Sequence, residues 1–347
     1  MNRRQIAVIG DRFMKPEAFV AALEPVVGEG GELRSLELPW PDEPMRHGYV
    51  DGGIAGLKEY LGDPEEIVRF IDGAEILINH LAPISDEMLG RLAPLKLIAV
   101  ARGGPVNIDI EACRRRGVLV VNAPGRNASA VAEFTVGAIL AETRLIRAGH
   151  EALRRGVWRG DLYRADRTGT ELSELTVGLI GYGFIGTRVV RLLKPFGCRI
   201  LVCDPYKTLS AADAADGVLQ VGLDQLLAES DVVSLHARVT PQTKGFLAAA
   251  QFARMKRGAY FINTARGPMV DYEDLRAALE SGHLRGAMLE TFWLEPPPPD
   301  APLLKLDNVT LTPHIAGAST TTVKIAARMA AEEVRRYLAG EGPANPC

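Results

Sequence analysis

Short runs of apolar residues recur along this chain, separated by polar stretches with helical potential. A first set lies at 6–10 (IAVIG), 75–80 (EILINH), 97–101 (LIAVA) and 118–122 (VLVVN), with a helix expected near 16–24. A second set lies at 176–181, 199–204, 232–236, 259–263, 287–289 and 309–313, with helices expected over 184–195, 223–229, 248–255 and 271–281. Within each run the apolar residues do not alternate with polar ones, so both faces of each strand are expected to be covered. Strands alternating with helices in this way build parallel sheets with helices on both sides. The pattern therefore predicts an α/β protein with two doubly wound parallel-sheet domains. Pro124 and Gly125 break the chain after the first set, and a long helix over 129–147 leads into the second. A final helix, 319–339, follows the last strand and is expected to return to the first domain. Glu295 opens a stiff polyproline loop, 295–299.

The length of 347 residues suits two domains, each with its own core. A net charge of −3 provides no strong field towards nucleic acid or an anionic membrane, so neither is an expected partner. No segment approaches the roughly 18–20 uninterrupted apolar residues of a membrane span. The N-terminal MNRRQIAVIGDRF has too short an apolar run for a signal peptide and reads as an opening strand. Cys113, Cys198, Cys203 and Cys347 show neither paired nor metal-type spacing. No metal site is expected, and a reducing cytoplasm is the expected location.

The chemistry begins where the second set begins. The apolar run 177–180 ends at Gly181, and Gly183 and Gly186 complete a G-x-G-x-x-G. A helix-length segment and a second apolar run follow, closed by Asp204. Strand, tight turn, helix, strand and acid in this order form the fingerprint of a dinucleotide site. Gly181 permits the turn, Gly183 admits the pyrophosphate to the backbone, and Gly186 lets the helix pack on the strand. The helix N-terminus offers N–H groups and a positive dipole end to the phosphates. Asp204 can accept from both ribose hydroxyls and would repel a 2′-phosphate, which favours NAD over NADP. Arg199 precedes the strand and is poorly placed to offset that repulsion.

Three further residues stand in positions of interest. Arg266, in Asn263-Thr264-Ala265-Arg266-Gly267, follows a strand-like run, at the strand end where ligands bind in open α/β sheets. An arginine there can hold a carboxylate bidentately. His314 follows the run 309–311 in the same way and can act as a general base near neutral pH. Glu295 could orient that imidazole and stabilise its charged form. Taken singly, a surface arginine, a structural histidine and a solvated loop acid remain open alternatives.

In combination these segments resemble the D-isomer-specific 2-hydroxyacid dehydrogenase family over nearly the full chain. The supporting segments are RGGPVNID (102–109), RRGVLVVNAPGRNASAVAEF (115–134), GYGFIG (181–186), LAESDVVSLH (227–236), ARMKRGAYFINTARG (253–267), LESGHLRGAML (279–289) and NVTLTPHIAGAS (308–319). The resemblance implies a flavodoxin-like substrate domain, 1–124 plus 320–347, and a Rossmann NAD-binding domain, 125–319. It implies reversible hydride transfer between NAD and a D-2-hydroxy acid or its 2-oxo acid. Arg266, Glu295 and His314 would be the catalytic set. Gly181, Gly183, Phe184, Ile185, Gly186, Asp204, Ala237, Arg238, Thr264, Ala265, Glu290 and Gly317 would contact the cofactor. Arg102, Gly103 and Gly104 would bind the substrate, in a cleft between the domains that closes and excludes water. Homodimers through the cofactor domain are typical of the family.

The sequence also departs from the family pattern. Pro105 removes an N–H donor from the substrate loop. Glu290 stands where the family carries an aspartate that contacts the nicotinamide amide, and would do so with a longer arm or displace the ring. His236-Ala237-Arg238-Val239 lacks the usual proline, and 158–167 is unusually polar. His80 ends a strand-like run and reads equally as a residue near the cleft or as a buried structural histidine. The additional arginines point to an acid with several anionic or hydroxyl groups, such as 3-phosphoglycerate or a sugar-derived acid. Formate-type relatives replace the glutamate by glutamine, which Glu295 argues against. An NAD-sensing interaction protein of the co-repressor type shares the fold and is the alternative function.

Overall fold

The computed structural model describes residues 3–40, 54 and 56–347. The chain divides into two compact units, one formed by Met1–Asn127 with Ala318–Cys347 and the other by Ala128–Gly317.

In the first unit, β1 (Arg4–Asp11), α1 (Pro16–Val27) and β2 (Gly31–Leu38) are followed by α2 (Pro64–Ile71), β3 (Ile76–Asn79), α3 (Asp86–Gly90), β4 (Leu97–Val100), α4 (Ile110–Arg115) and β5 (Leu119–Val121). The five strands form one sheet in the order β2-β1-β3-β4-β5, and every pair is parallel. This is the flavodoxin-like order, whose winding reverses between β1 and β3. Successive residues of β1 feed opposite cores: Ala7 and Ile9 join one cluster, Ile6 and Val8 the other. β2 is absent from the apolar-run reading. Its sequence GELRSLEL lies on the sheet edge and is mostly half-exposed, so polar residues occupy the outward positions.

In the second unit, α5 (Ala128–Thr143) and α6 (Ile146–Arg154) lead into β6 (Thr176–Ile180), α7 (Gly186–Leu193), β7 (Arg199–Cys203), α8 (Ala211–Ala215), β8 (Leu219–Gln220), α9 (Leu223–Glu229) and β9 (Val232–Leu235). Then come α10 (Ala249–Arg254), β10 (Tyr260–Asn263), α11 (Tyr272–Glu280), β11 (Gly286–Leu289) and β12 (Val309–Leu311). The sheet order is β12-β11-β10-β9-β6-β7-β8, all parallel, with the reversal between β6 and β9. One core packs around Phe252, Phe261 and Leu275, and the other around Leu179, Val189 and Ile262. The long helix expected over 129–147 is two helices. Leu145 adopts a left-handed conformation at φ 57°, and the chain turns there.

The last helix, α12 (Thr320–Leu338), belongs to the first unit. Its face of Ala326, Ala327, Ala330 and Ala331 packs in the cluster that holds Phe19 and Leu23 of α1. Small side chains let the two helices approach closely. Glu333, buried on the same helix, accepts from the backbone N–H groups of Ala344 at 3.1 Å and Asn345 at 2.8 Å. That ties down a tail whose Pro346 bridges to Val121 at the edge of the sheet. Among the described residues no helix is long and apolar enough to cross a membrane.

Candidate active site

The glycine turn lies at the winding reversal of the second sheet. Gly181 follows β6 with φ 108°, and a Cβ on it would stand 2.7 Å from the carbonyl of His236 after β9. A Cβ on Gly186 would stand 2.2 Å from the Gly181 carbonyl oxygen. Neither position admits a side chain. A Cβ on Gly183 would meet nothing within 4 Å, so the backbone is open there, beside the N-terminus of α7. An open, unobstructed backbone in front of a helix N-terminus is what a pyrophosphate fits. Phe184 is exposed and Ile185 caps the helix.

Asp204, after β7, is engaged within the fold. One carboxylate oxygen accepts from the Tyr182 N–H at 2.8 Å, the other from Tyr206 and Lys207 at 2.8 and 3.0 Å. The oxygen that meets only Tyr182 retains lone-pair capacity for a ribose hydroxyl. The acid therefore also joins the glycine turn to the loop beyond β7. His236, across the reversal, is buried, and its Nε2 lies 2.9 Å from Ser234 Oγ. Burial pushes its pKa down to about 3, so the ring is neutral. Ala237 is half-buried and Arg238 exposed.

The catalytic candidates follow the adjacent strands β10, β11 and β12. Arg266 is exposed, and its guanidinium donates to the carbonyl of Ala265 at 2.8 Å. Thr264 and Ala265 are buried, and the Thr264 hydroxyl meets that of Thr135 at 2.8 Å. A Cβ on Gly267 would lie 1.7 Å from the Phe292 carbonyl oxygen, so this turn is pressed against the loop after β11. Asn263 and Tyr272 fasten the same contact: Asn263 donates to the Tyr272 hydroxyl at 3.2 Å, and Tyr272 donates to the carbonyl of Thr291. Neither residue stands out in the sequence.

His314 and Glu295 meet. Nδ1 of His314 is 2.7 Å from one Glu295 oxygen, and the other accepts from the Phe292 N–H at 2.9 Å. Glu295 is buried, whereas His314 is part-exposed. A carboxylate at Nδ1 keeps the proton on that nitrogen and leaves Nε2 as the acceptor. His314 has φ 55°, a left-handed conformation unusual for a residue with a side chain. Glu290 explains how it is held. Its carboxylate is fully buried, accepting from the Thr312 hydroxyl and the Ala316 N–H, while its carbonyl accepts from the His314 N–H at 3.1 Å. Burial pushes the Glu290 carboxyl above its usual range. Both carboxylate oxygens of Glu290 thus have partners within the fold. The extra methylene carries the carboxylate into the loop that ends at Gly317.

In the first unit, Arg102 is likewise engaged. Its guanidinium donates to the Glu59 carbonyl at 3.1 Å and forms an ion pair with the Glu59 carboxylate. Arg102, expected to bind substrate, is thus ion-paired within the unit. Gly103 and Gly104 lie in an open loop, with no atom within 4 Å of a Cβ placed on Gly104.

Comparison with known proteins places this geometry. The sequence pattern of the D-isomer specific 2-hydroxyacid dehydrogenase NAD binding domain matches residues 136–316. A glyoxylate reductase from Thermofilum pendens is 38% identical over 307 residues, covering 88% of this chain and 91% of that protein. A D-3-phosphoglycerate dehydrogenase from Methanocaldococcus jannaschii is 36% identical over 278 residues, covering 80% of this chain and only 52% of that longer protein. The crystal structure of the TT0316 protein from Thermus thermophilus superposes with a TM-score of 0.77 at 32% identity, covering 98% of this chain and 99% of that one. A match over more than half the chain, joined to full-length similarity in sequence and fold, leaves one assignment: the chain belongs to the NAD-dependent D-isomer-specific 2-hydroxyacid dehydrogenases.

Proposed function

We propose that this chain interconverts a small D-2-hydroxy acid and its 2-oxo acid, with His314 as the acid–base group. The observation that carries this reading is the 2.7 Å contact between His314 and buried Glu295, beside the strand ends of the NAD-binding unit. NAD, when bound, supplies the two-electron acceptor for the hydrogen on C2. Gly181, Gly183, Gly186 and Asp204 would hold its pyrophosphate and ribose. In the oxidation direction Nε2 of His314 takes the proton of the C2 hydroxyl as the C2=O bond forms. The Glu295 carboxylate then faces an imidazolium and stabilises it. In reduction the imidazolium returns that proton to the C2 oxygen. Arg266 binds the carboxylate of the acid and polarises the C2 oxygen. Glu290 holds the His314 loop without touching substrate.

The exposed apolar residues Ile146, Leu153, Val157, Trp158 and Tyr163 cluster along and just beyond α6. A patch of this kind marks an interaction surface, and it supports a homodimer formed through the NAD-binding unit. Light scattering on the purified protein reads that mass directly.

Steady-state assays with NADH, NADPH and a panel of 2-oxo acids test the enzymatic reading. Turnover with NADH is expected. His314→Ala should lose ~10²–10⁴ in kcat while keeping NADH binding. Tight NADH binding with no turnover of any acid would sink the assignment.

A further inference from the structure

We propose that Tyr272 is a positioning residue for the reaction: its hydroxyl acts through the peptide group between Thr291 and Phe292, which holds Glu295 against His314. This inference rests on the function proposed above, in which Glu295 and His314 are the acid–base pair.

Every group involved lies in the second unit. Asn263, the last residue of β10, is fully buried. Its Oδ1 accepts from the Ala265 N–H at 3.0 Å, which fixes the orientation of the side-chain amide. Nδ2 then donates to the Tyr272 hydroxyl at 3.2 Å and to the Arg266 carbonyl at 3.4 Å. Tyr272 opens α11 and is buried. With a lone pair of its hydroxyl taken by Asn263, its hydrogen is directed onward. It goes to the carbonyl of Thr291, another buried residue.

That carbonyl and the Phe292 N–H belong to one planar peptide group. At one end the group accepts from Tyr272, and at the other it donates to Glu295 at 2.9 Å. The second Glu295 oxygen meets Nδ1 of His314 at 2.7 Å. Because the peptide is rigid, fixing its carbonyl fixes the direction of its N–H. The N–H in turn fixes the plane of the carboxylate. Donation to a carbonyl also polarises the N–H of the same amide, strengthening its bond by roughly 10–30%.

The ring of Tyr272 has a separate task. Its centroid lies 5.0 Å from that of Trp293 and 6.5 Å from that of Phe292, so it packs against the side chains of the same loop. The hydroxyl holds the backbone of that loop. Tyr272→Phe removes the second contact and keeps the first. The buried Thr291 carbonyl then loses this donor, and an unsatisfied buried acceptor favours rotation of the peptide away from Glu295.

Kinetics with NADH and a 2-oxo acid test the path. Tyr272→Phe should lower kcat about tenfold, with NADH binding and the KM for the acid unchanged within about twofold. Asn263→Ala removes the donor that directs the hydroxyl and should lower kcat similarly. Because Asn263 also holds the Arg266 carbonyl, this second variant should raise the KM for the acid as well. A purely structural role would lower the melting temperature and leave kcat of the folded protein unchanged. A double-mutant cycle separates the two. In the Glu295→Gln background the further fall in kcat from Tyr272→Phe should shrink to within about twofold, since its effect passes through the carboxylate. A kcat within about twofold of the unmodified protein in both single variants, or an undiminished fall in the Glu295→Gln background, overturns the proposal. If the unmodified protein turns over no acid, the enzymatic reading fails separately. Melting temperatures then decide the coupling: a smaller loss from Tyr272→Phe in Glu295→Gln than in the unmodified protein supports it, and equal losses overturn it.

Discussion

Glu295→Gln removes one charge and leaves the shape of the side chain intact, so its effect is set by hydrogen-bond polarity. One carboxylate oxygen accepts from the Phe292 N–H at 2.9 Å, and the other faces Nδ1 of His314 at 2.7 Å. An amide has one accepting and one donating end. If its oxygen stays on Phe292, its NH₂ faces Nδ1, and the imidazole must move its proton to Nε2. That tautomer has no lone pair for the substrate hydroxyl. If the amide turns over, its NH₂ meets the buried N–H of Phe292, at a cost of roughly 1–3 kcal/mol for the unsatisfied donor. Loss of the charge-assisted bond alone is worth roughly 1.5–3 kcal/mol, about 10- to 150-fold in rate. Imposing the wrong tautomer extends the loss towards ~10⁴, the effect of making the buried acid of a serine-protease triad an amide. The expected fall in kcat is therefore ~10²–10⁴ in either direction of reaction. NADH oxidation followed at saturating 2-oxo acid measures it, with NADH fluorescence as a check that cofactor binding survives. A variant with kcat within about fivefold of the unmodified enzyme would refute the dyad, since a general base contributes at least ~10².

Asp204→Ala should act twice. It removes the acceptor of three backbone N–H groups, lowering stability by roughly 1–2 kcal/mol, and it reduces the preference for NAD over NADP. Thermal unfolding and paired NADH/NADPH kinetics read the two effects, and an unchanged cofactor ratio would remove Asp204 from the ribose site. Gly267→Ala places a Cβ 1.7 Å from the Phe292 carbonyl oxygen, a backbone clash expected to cost more than the ~1–3 kcal/mol of ordinary overpacking. Because the displaced loop carries Glu295, kcat should fall with stability; full activity in the variant would contradict the close approach. Glu142 is held above its usual carboxyl range by burial, opposed by the Thr310 hydroxyl and Arg147. A raised folded pKa means that its contribution is most favourable at low pH and is lost as pH rises through the folded value. The melting temperature of Glu142→Gln, relative to the unmodified protein, should therefore rise between about pH 4 and about pH 8, and a constant difference would show that the group does not titrate this way.

Much of this protein could be read from its one-dimensional pattern. Non-alternating apolar runs identified the buried parallel strands, because a strand covered on both faces cannot carry polar residues at alternate positions. The glycine turn was legible because part of its spacing is a local steric requirement: a Cβ on Gly186 would strike the Gly181 carbonyl five positions earlier. The edge strands β2 and β8 escaped that reading, since an edge can be polar or only two residues long. The break at Leu145 was invisible because no glycine or proline marks it.

The sequence alone determined which chemical groups were available: a dinucleotide turn, an arginine, a histidine and a glutamate after successive strands. Only the tertiary structure decided how those groups are used. Glu295 and His314 are 19 positions apart, and Asp11 and His80 are 69 apart, so their pairing depends on which strands lie side by side. Glu290 and Arg102 carry the charges expected of ligand-binding residues, yet folding gives each an internal partner. Arg126 is the converse, an unremarked arginine left without an acceptor. A side chain's chemistry is local, but its hydrogen-bond partners are set by the packing of distant segments, and the partners determine whether a charge is available to a ligand.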